Sequence, residues 1–333
     1  MKAFVLEKYR KGMPLVAQML PEPRPGPSDL VVRIAAASVN VLDLKIRDGA
    51  FRQILPYRPP FVLGHDLAGT VTAVGDAVTR FKVGDAVFAR ARDGRIGTFA
   101  EAIAIPEGDA APKPANLSFA EAAAVPLVAL TAWQALVGLA QVRPGQKVFI
   151  QAGSGGVGSI AIQLAKHLGA VVATTCSAQS AGMMRDLGAD VVIDYKSQDI
   201  GVELSGYDLV LHSQDDATLM KSLRVLKPGG LLISISGPPT PDDAMVQDQN
   251  LLVRLVIRMI SREVRKAAAR AGVRYGFLFM RADGEALAEL GKLFEQGKLR
   301  PVLDRTFGFD DLNAALDLVG TGRAKGKVVV EMA

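Results

Sequence analysis

Gly153-Ser154-Gly155-Gly156-Val157-Gly158 sets three glycines in the pattern G-x-G-x-x-G. It follows the apolar run Val148-Phe149-Ile150 and opens a helical stretch, Ser159 to Leu168, that Gly169 closes. Glycines at this spacing turn the chain tightly and let backbone N–H groups approach a pyrophosphate without side chains in the way. The helix N-terminus adds partial positive charge. Dinucleotide binding is the chemistry such a loop serves; a plain glycine turn between strand and helix is the alternative. The second strand ends Thr174-Thr175-Cys176-Ser177-Ala178-Gln179-Ser180, without the carboxylate that an NAD ribose asks for. Ser177 and Ser180 can donate to a 2′-phosphate, and Tyr195 can add a hydroxyl or stack on adenine. No basic residue is adjacent, so Arg185 or Lys196 would have to supply the positive charge. The expected cofactor is NADPH.

Around this loop the texture is regular. After Pro144-Gly145, apolar runs alternate with helical stretches: AVVATTC, a helix through Met183 to Leu187, DVVIDY, YDLVLHS, a helix to Leu226 and LLISIS after a Pro228-Gly229-Gly230 turn. Short apolar runs separated by helices indicate a parallel sheet covered on both faces. A long charged helix is expected over 251–274, a sixth strand over Tyr275 to Met280, and a helix from Gly284 to Gly297. The first hundred or so residues are different: short strands, proline-rich loops, and Gly75-Asp76 and Gly84-Asp85 turns between Val-rich runs. Ser118-Phe119-Ala120-Glu121 is a capping box that starts a helix. Val302 to Ala333 reads as strand-helix-strand and is expected to complete the first domain.

With 333 residues the chain has room for two domains, and 49% hydrophobic against 22% charged residues is ordinary globular composition. The single cysteine, Cys176, excludes an internal disulfide and a Cys-rich metal site and suits a reducing, cytoplasmic setting. MKAFVLEKYRKG lacks the apolar length of a signal peptide. Ala122 to Ala140 is uncharged over 19 residues, but Pro126, Thr131 and Gln134 interrupt it. A buried helix fits it better than a membrane span, so no transmembrane segment is expected. The net charge of +5 suits a polyanionic cofactor as well as it suits nucleic acid.

Six stretches occur in one order: ASVNVLDLKIRDG (37–49), FVLGHDLAGTV (61–71), KVGDAVFA (82–89), AAAVPLVALTAWQAL (122–136), QAGSGGVGSIAIQLAK (151–166) and GRAKGKVVV (322–330). In these the chain resembles the medium-chain dehydrogenase/reductase superfamily, nearest to its zinc-independent quinone oxidoreductase branch with the alkenal/enone reductases. The resemblance implies an α/β architecture. A GroES-like β-rich catalytic domain would comprise 1–123 and 298–333. A Rossmann domain, a doubly wound six-stranded parallel sheet, would comprise 124–297. It also implies a homodimer. Where zinc alcohol dehydrogenases carry two cysteines this chain has Asn40 and, approximately, Leu127. His65 and Asp66 alone cannot close a tetrahedral site, so no metal is expected. His65 is then a packing or hydrogen-bonding residue, and His167 and His212 have no motif partners.

Alcohol oxidation gains from a Lewis acid, whereas hydride addition to an enone or quinone leaves its charge on a delocalised system. By resemblance, Asn40 lines the nicotinamide and Lys45 is the catalytic candidate, able to polarise a carbonyl or protonate an enolate. A surface lysine beside Asp43 and Asp48 is the equal alternative. Phe51 and Tyr57 can shape a flat substrate pocket or simply fill the core. Thr131, Ser213, Phe277, Phe279, Arg323 and Lys327 are further cofactor contacts that the resemblance implies. Buried strand residues are the alternative for the two phenylalanines, and a solvated turn for the two cations. The expected activity is NADPH-dependent reduction of small quinones or α,β-unsaturated carbonyl compounds. Other readings are an NADPH-binding structural or RNA-associated protein and an enoyl-thioester reductase. No nucleic-acid partner is expected, because the basic row Arg254, Arg258, Arg262, Lys266, Arg270 lacks interleaved aromatics. That row is a solvated helix face or a contact for an acidic partner, a membrane surface or an anionic substrate tail.

Overall fold

The computed structural model describes all residues but Gln53, Ile54, Pro56, Asp242, Gln249 and Ala333, and for Ala244 and Met245 the backbone only. Two units divide the chain: Met1–Leu130 with Arg281–Ala333, and Thr131–Met280.

In the first unit the strand Asp29–Val39 pairs antiparallel with Asp66–Val74, with Ala102–Pro106 and with the C-terminal Lys327–Glu331. Asp66–Val74 continues the sheet to Ala86–Arg90 and Ala110–Pro112, and Lys327–Glu331 pairs parallel with Leu303–Gly308. A smaller sheet holds Val16–Met19, Lys2–Leu6 and Phe61–Val62. The strand Asp29–Val39 is buried at nine of its eleven positions, as a strand covered on both faces must be. The chain's C-terminal strand is therefore an interior strand of a sheet begun at residue 29. Ser118 caps its helix as its spacing predicts, Oγ accepting from Glu121 N at 3.2 Å while Glu121 accepts from Ser118 N at 2.8 Å.

In the second unit six parallel strands run in the order Val191–Asp194, Val171–Cys176, Lys147–Ile150, Tyr207–His212, Leu226–Ser234, Arg274–Phe277. The first strand in sequence is central, and the chain winds outward on one side and then the other. The core is Phe149, Val210 and Leu232 on the strands with Leu219, Leu223, Val264 and Ala268 on covering helices.

Several expected elements differ in extent. Ala122 to Ala140 is not one helix: Phe119–Ala123 ends, Pro126 opens Pro126–Trp133, and a π-turn follows over Gln134–Leu139. Proline lacks the N–H that an interior position needs, so it starts a new helix. Pro228-Gly229-Gly230 lies inside the strand Leu226–Ser234, with Gly229 at φ +77° and its N–H donating to Gly272 O at 2.7 Å. The 251–274 segment is two helices, Leu251–Ile260 and Arg262–Arg270, which meet at Ser261, whose Oγ donates to Ile257 O at 2.8 Å. The sixth strand ends at Phe277, short of the expected Met280. The helix Gly284–Glu295, expected in the nucleotide domain, belongs to the first unit, where a Cβ at Gly284 would lie 2.4 Å from Ala110 O.

Candidate active site

The glycine loop lies at the carboxyl end of Lys147–Ile150, between the neighbours at which the strand order reverses. That switch point is where open α/β sheets bind ligands. Its three glycines do different work. A Cβ at Gly153 would come within 2.2 Å of Thr174 Oγ1 and 2.7 Å of Met184 Sδ; at Gly158, within 2.3 Å of Ala152 O. Those two seat the loop against the second strand and the helix against the loop. Gly155 has no such crowding, its Cβ meeting only Ala152 O at 3.3 Å, and it caps the Gly156–His167 helix without a side chain. Helical bonding starts with Ser159 N donating to Gly155 O, so the amides of Gly156, Val157 and Gly158 precede the ladder. Ser154 is half-buried beside them. The loop is held by Gly153 N to Thr175 O at 2.9 Å and Ala152 N to Thr175 Oγ1 at 3.1 Å.

Beyond the second strand, Ser177 is half-buried, and Ser180 is buried with its hydroxyl unpartnered among the described residues. Tyr195, Arg185 and Lys196 are exposed. Asp194, which the sequence reading did not weigh, ends the third strand in register with Cys176 and accepts from Lys196 N at 3.1 Å. Ser213 N donates to Gln151 Oε1 at 3.3 Å, and Gln151 Nε2 to Ser222 Oγ at 2.6 Å. His212 bonds Ser234 Oγ and Asp215 O, and burial pushes its imidazole pKa down, so it is a neutral structural residue. Phe277 and Phe279 pack edge to face, centroids 4.7 Å apart, both half-buried. Thr131 is buried on its helix. A loop with no room for a side chain at Gly153 and Gly158, and a buried hydroxyl without a partner among the described residues, fit a phosphorylated dinucleotide.

The first unit holds a buried polar cluster of its own. Asn40, which caps the Val41–Arg47 helix, donates through Nδ2 to Asp66 Oδ2 at 2.9 Å, and its N–H donates to Asp43 Oδ2 at 2.7 Å. Asp66 Oδ2 also accepts from Ser38 Oγ at 2.9 Å and Lys327 Nζ at 3.4 Å; Oδ1 accepts from Leu127 N at 2.9 Å. Lys327 Nζ further donates to Asn40 Oδ1 and to Val39 O. His65 Nδ1 meets Asp43 Oδ1 at 2.6 Å, while Nε2 has no partner among the described residues. Lys327 is 5% exposed, and the desolvation that lowers its pKa is opposed by Asp66 and Asp43. The solvated turn considered for it is therefore excluded, and its cation is not free. Arg323, four residues earlier, is exposed.

Lys45 is half-buried on the same short helix, its ammonium with no hydrogen bond or ion pair among the described residues. Asp43 is taken by His65 and Asn40, and Asp48 by Arg47 Nε at 3.0 Å, so neither neutralises the lysine. Burial pushes the Lys45 pKa below its usual value. Tyr57 stacks on Phe61 at 5.2 Å, its hydroxyl accepting from Gly94 N at 3.2 Å. Phe51 is half-buried after the helix.

Comparison with known proteins finds two family models along the chain. Residues 26–115 match a family model described as an alcohol dehydrogenase GroES-like domain, and residues 187–330 one described as a zinc-binding dehydrogenase. NAD(P)H oxidoreductase RTN4IP1, mitochondrial, of Danio rerio is 32% identical over 370 residues, covering 100% of this chain and 91% of its own. The chain belongs to the medium-chain dehydrogenase/reductase superfamily. The NADPH-dependent alkenal/one oxidoreductase, chloroplastic, of Arabidopsis thaliana is 34% identical over 314 residues, 90% of this chain and 71% of that protein. The structure of the quinone oxidoreductase from Coxiella burnetii superposes with a TM-score of 0.87 at 30% identity, covering 100% of this chain and 99% of that one. These similarities put this superfamily member in the quinone oxidoreductase and enone reductase branch.

The zinc in one family description does not suit the residues present. The sequence has one cysteine, Cys176, remote in sequence from Asn40 and Leu127, His65 is bound to Asp43, and Asp66 is already paired with an ammonium. Among the described residues no cluster of His, Cys, Asp and Glu is placed to hold a metal. Sequence reasoning named Asn40, His65 and Lys327 separately and missed what joins them. The available signal was an acid and a lysine each opening an apolar strand, HDLAGTV and KVVVEM, since opposite charges on buried strands must pair.

Lys327→Met strands the Asp66 carboxylate in the core and is expected to cost about 3–5 kcal/mol in urea unfolding. Adding Asp66→Asn should restore most of that loss. A Lys327→Met protein as stable as the parent would refute the pairing.

Proposed function

We propose that the protein is an NADPH-dependent oxidoreductase that reduces quinones or α,β-unsaturated carbonyl compounds and works without a metal. The observation that carries the reaction type is Lys45, a half-buried ammonium that no carboxylate claims among the described residues and whose pKa burial lowers. Such a group is a good general acid, charged but poorly solvated. The names of similar proteins, an alkenal/one oxidoreductase and a quinone oxidoreductase, support the substrate class. A protein that only binds the cofactor has no use for such a lysine.

In this reading Gly153 to Gly158 hold the pyrophosphate on backbone amides, and Ser177 and Ser180, with Tyr195 nearby in sequence, receive the 2′-phosphate. Asn40, Thr131, Ser213, Phe277, Phe279 and Arg323 are assigned to the cofactor's remaining length, with Lys327 acting through Asn40. Phe51 and Tyr57 are assigned to the substrate. Bound NADPH supplies the hydride. Lys45 supplies the proton, donating to the carbonyl oxygen or to the enolate that hydride addition leaves on the substrate. Its stored charge makes metal assistance unnecessary.

A homodimer belongs to the same proposal. It is supported by the outer edge of Arg274–Phe277, which pairs only inward, with Leu226–Ser234, among the described residues. Light scattering should then give twice the 35.2 kDa chain mass. A cytoplasmic setting is supported by the single buried thiol, Cys176. Names of similar proteins include mitochondrial and chloroplastic ones, so cell fractionation decides it.

NADPH oxidation with a short enone or 1,4-benzoquinone is the direct test, and no turnover despite bound NADPH would leave a binding protein. Lys45→Met should lower enone turnover about 100-fold with NADPH affinity nearly unchanged. Because the acid must be protonated, parent activity should fall as pH rises through the depressed lysine pKa, and the variant should lack that limb. Ser177→Asp should weaken NADPH binding at least ~10-fold by charge repulsion and favour NADH; unchanged preference in fluorescence titration would remove Ser177 from the phosphate site.

A further inference from the structure

The helix Leu251–Ile260 buries only Ile257 of its ten residues. Leu251, Leu252, Leu255, Val256, Met259 and Ile260 are between 49% and 75% exposed. At about 100° per residue Leu251, Leu252, Leu255 and Met259 fall on the arc opposite Ile257, with Val256 at its edge. The helix thus turns an apolar face outward, and the six side chains are not needed by the core. Its partner, Arg262–Arg270, is anchored by Val264 and Ala268 in the sheet's core cluster. Its outward face is cationic: Arg262, Lys266 and Arg270 are exposed and continue the four-residue spacing from exposed Arg258. These four make no ion pair among the described residues, and Glu263 is the sole acid of the two helices.

We propose that this helix pair docks on an anionic lipid surface. The apolar face of Leu251–Ile260 enters the boundary between headgroups and acyl chains, and Arg258, Arg262, Lys266 and Arg270 meet lipid phosphates. Apolar side chains bordered by a row of arginine and lysine are what an in-plane interfacial helix needs. Ten residues span about 15 Å, half of a bilayer's hydrocarbon core, and no described helix is long and apolar enough to cross a membrane. The segment lies on the surface. A second copy is the poorer occupant, because a twofold contact through this face would bring the same cationic row against itself with only Glu263 to offset it.

Flotation with vesicles of phosphatidylcholine alone, or with about 30 mol% phosphatidylglycerol, tests this directly. The protein should float with the anionic vesicles and not with the neutral ones. Leu255→Asp with Met259→Asp, and separately Arg258→Glu with Arg262→Glu, should each lower binding at least ~10-fold. Both double variants should keep the parent's melting temperature and NADPH oxidation, since neither touches the cofactor loop or Lys45. No flotation with either vesicle, or flotation that both double variants retain, overturns the proposal. So does a dimer in solution that Leu255→Asp with Met259→Asp dissolves, which would make this face a contact between copies.

Discussion

Asp66 sits where a carboxylate is most expensive, on a strand with no access to water. A charge of that kind persists only if donors replace its hydration. Four do so: Ser38, Asn40, the Leu127 amide and the Lys327 ammonium. They come from three separate parts of the chain, Ser38 and Asn40 sharing one. The acid therefore requires the C-terminal strand to lie beside Asp29–Val39 and the Pro126–Trp133 helix to begin against the sheet. Lys327 meets the same requirement from the other side, since its ammonium would otherwise be a lone cation in the core.

The cluster also shapes the chemistry around it. Asn40 is at once a cap, a ligand of Asp66 and an acceptor for Lys327, so its position follows from all three. Asp43 is drawn to His65 and away from Lys45, two residues on. Asp48 is drawn to Arg47 and to the Gly12 amide at 3.2 Å. Among the described residues Lys45 keeps an unpaired ammonium, because the charges of Asp43 and Asp48 are committed elsewhere.

The second unit meets its constraint by contact instead of charge. Gly153 and Gly158 are glycines because neighbouring atoms occupy the space of a Cβ, whereas Gly155 leaves a gap a ligand can enter. Thr174 and Thr175 fix the loop from the adjacent strand through both side chain and backbone. The stiffness of the loop comes from that strand, and its emptiness from the absent side chains.

Local features of the chain were legible from sequence because they depend on near neighbours. Apolar runs between glycine turns define the parallel strands, Ser118 and Glu121 define a helix start three residues apart, and the loop's spacing announces its ligand. The absence of cysteines at Asn40 and Leu127 likewise needs only the sequence. Tertiary structure alone decided what joins residues far apart. The Lys327–Asp66 pair spans 261 positions and leaves no periodicity to read. Whether Lys45 is paired depends on rotamers of Asp43 and Asp48, which packing sets. Sequence specifies the local options of the backbone; burial decides which charges must find one another across it.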